Sequence, residues 1–277
     1  MPRPPLFQRA TVTRVVSETP DARTFVLAPH SGPFRYRAGQ FVTFRVTVGG
    51  EELLRSYSMS SAPETDGELM TTVKRVPGGR VSGWLIDHLA EGDEIEVTEP
   101  HGTFCLRPTE APLLGFCGGS GITPVLSLAK SALASTSRQV RLLCADRDRK
   151  TAIFYDQLTE LAERHPGRLR VIRHLDDERG YLDAAAIRAF VGDDTGADSY
   201  VCGPDAFMTL VESALPGPGQ VFVERFGGSA AAAAGARGPR PPPPGAATPL
   251  PRPPPPRGGR ARGAPAPAPR GGGGGGG

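Results

Sequence analysis

Residues 113–124 read Leu-Leu-Gly-Phe-Cys-Gly-Gly-Ser-Gly-Ile-Thr-Pro (LLGFCGGSGITP), and this stretch decides the fold. A short, continuously apolar run is the signature of a strand buried on both faces. Gly118, Gly119, Ser120 and Gly121 follow it, and Pro124 stands where the first turn of a helix tolerates proline. A glycine-rich turn between a buried strand and a helix lets backbone amides and the positive helix end approach a pyrophosphate. A tight turn without a ligand is the plain alternative, and the motif is not G-x-G-x-x-G.

Downstream, strand and helix patterns alternate. Ile122, Val125, Leu126, Ala129 and Leu133 mark one helix face, and VRLLCA (140–145) reads as the next strand. Phe154, Leu158, Leu161 and Ala162 share the following helix face. LRVIRHL (169–175), a helix near 183–191, SYVC (199–202), a helix carrying Phe207, Leu210, Val211 and Ala214, and VFVERF (221–226) complete the series. Such alternation predicts a doubly wound parallel sheet.

Upstream the pattern differs. ATVTRVV, TFVLA, FVTFRVTV, LLRSYSMS and LMTTVKRV are β-type runs separated by Gly, Pro and Asp clusters, which predicts an antiparallel sheet or barrel. A helix is expected at 80–89 and a strand at 94–99. We therefore expect an α+β antiparallel β-barrel domain at 6–108, an α/β domain at 109–226 and a disordered tail at 227–277.

Two further motifs lie in the first domain. In RSYS (55–58), Arg55 suits a phosphate, Tyr57 a flat ring and Ser58 a ring nitrogen, although ordinary strand residues read the same. In PGGRVS (77–82), Gly78 and Gly79 open a helix with Ser82 near its start, which fits either a phosphate or a simple N-cap.

RSYS, PGGRVS and GGSGITP in this order resemble the ferredoxin-NADP reductase superfamily, over roughly residues 8–226. The resemblance implies an FAD-binding barrel followed by a domain for NADH or NADPH, in an enzyme that moves electrons from the nicotinamide through FAD to an acceptor. It places Tyr57 against the flavin ring, Ser58 near flavin N5, and Arg55 with Gly78, Gly79 and Ser82 around FAD. Gly118, Gly119, Ser120, Gly121, Thr123 and Pro124 match the pyrophosphate loop of the nicotinamide dinucleotide. Cys202, Gly203 and Pro204 look like the family's Cys-Gly element beside the nicotinamide, with an inert buried thiol as the alternative. Glu224 and Phe226, two apart in the last strand, match the family's acidic and aromatic pair near the flavin. Pro100–Phe104 resembles the segment that closes the flavin domain. The resemblance implies catalytic roles for Ser58, Cys202, Glu224 and Phe226.

Composition sets further bounds. Residues 1–226 hold 25 Lys and Arg against 29 Asp and Glu, so the +3 of the whole chain comes from a tail with seven Arg and no acid. That argues against nucleic acid as a partner. No apolar stretch approaches a membrane span, and the first ten residues lack a secretion-type apolar core, so a cytoplasmic protein is expected. Cys105, Cys117, Cys144 and Cys202 fit no disulfide or zinc pattern, and His30, His88, His101, His165 and His174 form no metal or triad spacing. Nothing provides the C-x4-C-x2-C of a 2Fe-2S domain, so no cluster is expected in this chain. The resemblance is to reductases of which many carry a C-terminal ferredoxin domain, and it implies as redox partner here a ferredoxin or oxygenase component.

The tail, 15 Gly, 14 Pro, 12 Ala and seven Arg among 51 residues, is built from residues with GC-rich codons. A reading-frame error replacing a ferredoxin domain is one expectation. A genuine interaction segment using Pro241–Pro244 and Pro253–Pro256 is another, and a cluster-free diaphorase-type reductase is a third. After VRLLCA, the segment Asp146-Arg147-Asp148-Arg149 offers both an acid for a ribose diol and cations for a 2'-phosphate, which leaves NADH and NADPH both open.

Overall fold

A computed structural model describes residues 7–226. The tail at 227–277, on which the disorder, reading-frame and interaction expectations fall, lies outside the described residues.

The first domain is a six-stranded antiparallel sheet of β1 (Gln8–Thr19), β2 (Ala22–Pro29), β3 (Phe41–Val48), β4 (Glu51–Ser58), β5 (Leu69–Lys74) and β6 (Glu94–Val97). Its order is β4-β3-β6-β1-β2-β5. A Met59–Thr71 bridge brings the two edge strands together, and Thr71 Oγ1 donates to Ser58 O at 3.0 Å. The sheet thereby curls into a barrel and hides its edges. Alternation fills it: Val42, Phe44 and Val46 of β3 point into a core shared with Val12, Phe25 and Val97. Helix α1 (Arg80–His88) plugs one end with Val81, Leu85 and Ile86.

The second domain is a five-stranded parallel sheet of order β11-β10-β7-β8-β9. Its strands are β7 (Leu113–Gly118), β8 (Val140–Asp146), β9 (Leu169–Leu175), β10 (Asp198–Cys202) and β11 (Val221–Glu224). Helices α2 (Ile122–Ser135) and α3 (Tyr155–Arg164) pack on one face, against Leu113, Cys117, Leu142 and Tyr200. Beyond the short α4 (Asp176–Arg179), α5 (Ala184–Val191) and α6 (Asp205–Ala214) cover the other face, against Leu114, Phe116, Leu143 and Val201. Alternate residues of each strand thus serve opposite cores. The chain changes faces between β7 and β10, and such a switch point opens a crevice at the carboxyl ends of the strands.

Two sequence expectations differ from the structure, and a third gains detail. β11 ends at Glu224, so Phe226 stands in a turn beyond the strand and is 42% exposed. The expected glycine-rich connection between β7 and α2 takes the form of a 3-10 turn, Gly119–Gly121. Phe154 precedes α3 in a left-handed conformation (φ 60°), so it anchors the helix start instead of continuing the helical face.

Helix α2 is buried on every side from Ile122 to Leu133. Its apolar stripe faces the sheet, while its polar positions face the barrel. Ser127 Oγ donates to Ser61 O at 2.6 Å, and the Lys130 ammonium reaches Asp66 at 3.1 Å and Ser60 O at 3.3 Å. Burying a lysine demands such partners. This seam fixes the glycine-rich turn at the head of α2 against the barrel.

Candidate functional site

Three clefts meet along the open side of the two domains. The first, of about 320 Å³, is bounded by Arg55, Tyr57, Ser58, Thr72, Lys74 and Gly79 from the barrel and by Ser120, Thr123 and Phe226 from the second domain. A second, of about 420 Å³, joins Lys74 and Pro77 to Gly118, Gly119, Ser120, Gly203, Pro204 and again Phe226. A third, of about 470 Å³, continues past Gly119 to Asp146, Arg147, Asp176 and Tyr181.

The first cleft brings an aromatic ring, hydroxyls and a helix start together, groups that suit a flat ring with a phosphate tail. Ser58 is buried, and its Oγ has no hydrogen-bond partner although it borders the cavity. An orphaned buried hydroxyl is costly, so one here marks a place for a ligand atom. Beside it the Tyr57 ring is held edge-on by Phe44, with centroids 5.3 Å apart, and burial pushes its phenol well up, which keeps it neutral. Helix α1 starts at Gly79 with no side-chain cap, so its first amides face the cleft unclaimed. The Ser82 hydroxyl is already committed: it accepts from Val76 N at 3.1 Å and donates to Gly79 O at 3.4 Å. Ser82 therefore shapes the turn and is not its N-cap. Gly78, exposed, does not border the cleft, and Arg55 donates to Leu54 O.

The glycine-rich turn builds the second cleft. Gly119 adopts φ +53°, and the start of α2 at Gly121 also lacks a side-chain cap. A side chain at Gly121 would sit 2.0 Å from Cys202 O, so this glycine lets the turn lie directly on the end of β10. Thr123 Oγ1 donates to Ser120 O at 3.0 Å and steadies the turn. Pro124 is buried inside α2 and borders none of these three clefts.

Cys202 pairs in register with Cys117 on one side and Glu224 on the other. Its thiol is fully buried, and burial followed by the Glu224 charge pushes its pKa well up. The thiol thus lies behind the cleft wall formed by Gly203 and Pro204. Burial raises the Glu224 carboxyl to about 6. Cys117 and Cys144 bring their sulfurs within 3.3 Å in the core, and Cys105 is also buried.

Lys74 borders all three clefts and escaped the sequence reading. Its signal was the alternation of Thr72, Lys74 and Val76 along β5 and its extension, which puts all three on the cleft side. Among the described residues no group of His, Cys, Asp and Glu could hold a metal ion.

A barrel with an unsatisfied serine thus faces an α/β domain with a glycine-rich turn, an arrangement suited to two bound cofactors. Comparison with known proteins agrees. Residues 9–105 match the model described as oxidoreductase FAD-binding domain, and residues 116–213 match oxidoreductase NAD-binding domain. The chain is 40% identical over 215 residues to the ferredoxin reductase component of 3-ketosteroid-9-alpha-monooxygenase from Mycolicibacterium smegmatis, covering 75% of this chain and 61% of that one. It is 36% identical over 217 residues to the glycine betaine monooxygenase reductase subunit of Pseudomonas aeruginosa, covering 74% of this chain and 59% of that one. A crystal structure of the Amycolatopsis cytochrome P450 reductase GcoB aligns with TM-score 0.69 and 31% identity, over 79% of this chain and 69% of that one. Phthalate dioxygenase reductase aligns with TM-score 0.68 and 28% identity, over 80% and 69%. The chain belongs to the ferredoxin-NADP reductase superfamily. It spans about 60% of the length of the curated relatives it matches.

Proposed function

We propose that this chain is an NAD(P)H-dependent FAD reductase that hands electrons one at a time to a protein acceptor, an iron–sulfur protein or an oxygenase component. The observation that carries the reading is the partnerless Ser58 hydroxyl, set in a cleft that shares Phe226, Ser120 and Lys74 with the glycine-turn cleft. The names of the relatives, reductase components of monooxygenases, support the class of acceptor. Residues 6–108 would form the flavin domain and 109–226 the nicotinamide domain. No helix among the described residues is long and apolar enough to cross a membrane, and the cytoplasm is the proposed location.

FAD, when bound, accepts two electrons together and releases them singly. The residues of this chain supply orientation and charge. Ser58 would hold the ring edge by a hydrogen bond, Tyr57 would pack on its face, and the open start of α1 would take the pyrophosphate. Gly118–Gly121 would bind the dinucleotide phosphates, with Thr123 bracing the turn. Phe226, free of the strand and exposed, would cover the ring face and give way to the nicotinamide. Gly203 and Pro204 would line the nicotinamide position, with Cys202 packed behind them. An ionised Glu224 would favour the positively charged oxidised nicotinamide.

Steady-state reduction of ferricyanide, a one-electron acceptor, tests the proposal. NADH or NADPH should support turnover, and the rate should rise as pH climbs through about 6, where Glu224 ionises. Glu224→Gln should remove that step. No nicotinamide-dependent reduction by flavin-loaded protein would overturn the reading.

A further inference from the structure

We propose that Asp21 makes this chain favour NADH over NADPH, by holding Lys74 and Arg147 away from the position a ribose 2'-phosphate would occupy. The inference rests on the nicotinamide-dependent reading above. Asp21 belongs to the barrel, in the turn between β1 and β2, far in sequence from the nucleotide domain. Its place is fixed twice: its carbonyl accepts from Arg75 N at 2.7 Å, and its Oδ1 accepts from Thr19 Oγ1 at 2.7 Å. The remaining oxygen, Oδ2, lies 3.6 Å from Arg147 and 3.9 Å from Lys74. One carboxylate thus lies at ion-pair distance from a cation of each domain.

Those are the two cations that border the third cleft, and both are drawn to the same anion. Two carboxylates share the cleft with them. Asp146 ends β8 and Asp176 follows β9, and no hydrogen bond reaches the Asp146 carboxylate. Arg173, which also acts on Asp146, is engaged by Tyr155 O and by Thr159 Oγ1, the latter at 2.9 Å. Burial raises Asp146 to about 7 against the opposing pull of Lys74 and Arg173, with Asp176 and Asp148 adding to the rise. A ribose diol answers this arrangement, because two hydroxyls donate hydrogen bonds to a carboxylate that lacks donors. A 2'-phosphate does not, since it brings about −1.5 to −2 of charge and accepts hydrogen bonds where acceptors already crowd. Asp21 acts through the cations and touches no ligand, so it is a positioning residue.

The test titrates ADP-ribose and 2'-phospho-ADP-ribose into the full chain by calorimetry. These ligands differ only in the phosphate, and neither is redox-active. The natural chain should bind ADP-ribose at least about tenfold more tightly, and Asp21→Asn should narrow that ratio about five- to tenfold. Affinity for ADP-ribose itself should stay within about twofold, which a general loosening of the fold would not produce. Should the asparagine variant fail to fold, Asp21→Ser, which keeps an acceptor for Thr19, should show the same narrowing. A ratio unchanged in the folded variant, or a natural chain that prefers the phosphorylated ligand, overturns the proposal. Binding of neither ligand to the natural chain overturns the nicotinamide reading itself, and this inference with it.

Discussion

Replacing Gly121 by alanine should slow nicotinamide-driven turnover on the order of 100-fold while leaving FAD bound. The added methyl would stand 2.0 Å from Cys202 O and 2.4 Å from the Cys202 carbonyl carbon, both backbone atoms that cannot rotate away. Either the turn lifts off β10 or the end of β10 moves. The first displaces Ser120 and the second Gly203, and both residues line the same cleft. Overpacking of this kind costs about 1–3 kcal/mol, which the fold should survive. A displacement near 1 Å at a site that positions reactants costs on the order of 100-fold in rate. Flavin absorbance should be retained, and chemical reduction by dithionite should proceed normally, which separates a lost nicotinamide site from a lost flavin. Near-normal turnover would show that the loop does not rest on Cys202 as described.

The second large effect is on stability. Asp198 begins β10 at the end of the sheet opposite the nucleotide turn and is 1% exposed. It pairs with Arg138 at 2.9 Å and with Arg107 at 2.7 Å. The Arg138 side chain is wholly buried and also donates to Ala111 O at 2.6 Å. Together with Tyr200, whose hydroxyl accepts from Arg107 N and donates to Cys105 O, this network fastens the interdomain segment to the second domain. Asp198→Ala strands a guanidinium without its counter-charge, which costs about 3–5 kcal/mol. For a folded unit of this size that lowers Tm by about 6–20 °C. Thermal unfolding followed by circular dichroism checks it, and a shift under about 2 °C would mean that water relieves Arg138.

Much of the fold was legible because it is written locally. The apolar run 113–117, the turn glycines after it and the helical spacing beyond gave β7 and α2, and period-2 runs gave the strands of the barrel. The candidate flavin and nucleotide motifs could be proposed for the same reason, since each occupies only a few consecutive residues. What could not be read depends on convergence across the chain. Ser127 and Lys130 look like the solvent face of an amphipathic helix, and only the packing of α2 on the barrel turns that face inward. Lys74 and Asp21 carry no motif, and their roles exist only because the two domains meet. Phe226 was placed in a strand because its neighbours alternate, whereas pairing with β10 stops at Glu224. Gly121 was read as a phosphate contact, and its closer constraint is the backbone of Cys202.

On the reading proposed above, one chain brings a flavin and a nicotinamide together between these domains. Anaerobic addition of NADH, and separately NADPH, to the purified FAD-loaded chain tests it most directly, with the flavin absorbance band followed in time. Bleaching by at least one nicotinamide, faster than turnover and slowed on the order of 100-fold by Gly121→Ala, is the predicted result. A protein that cannot be loaded with FAD, or a bound flavin that neither nicotinamide bleaches, would contradict the account.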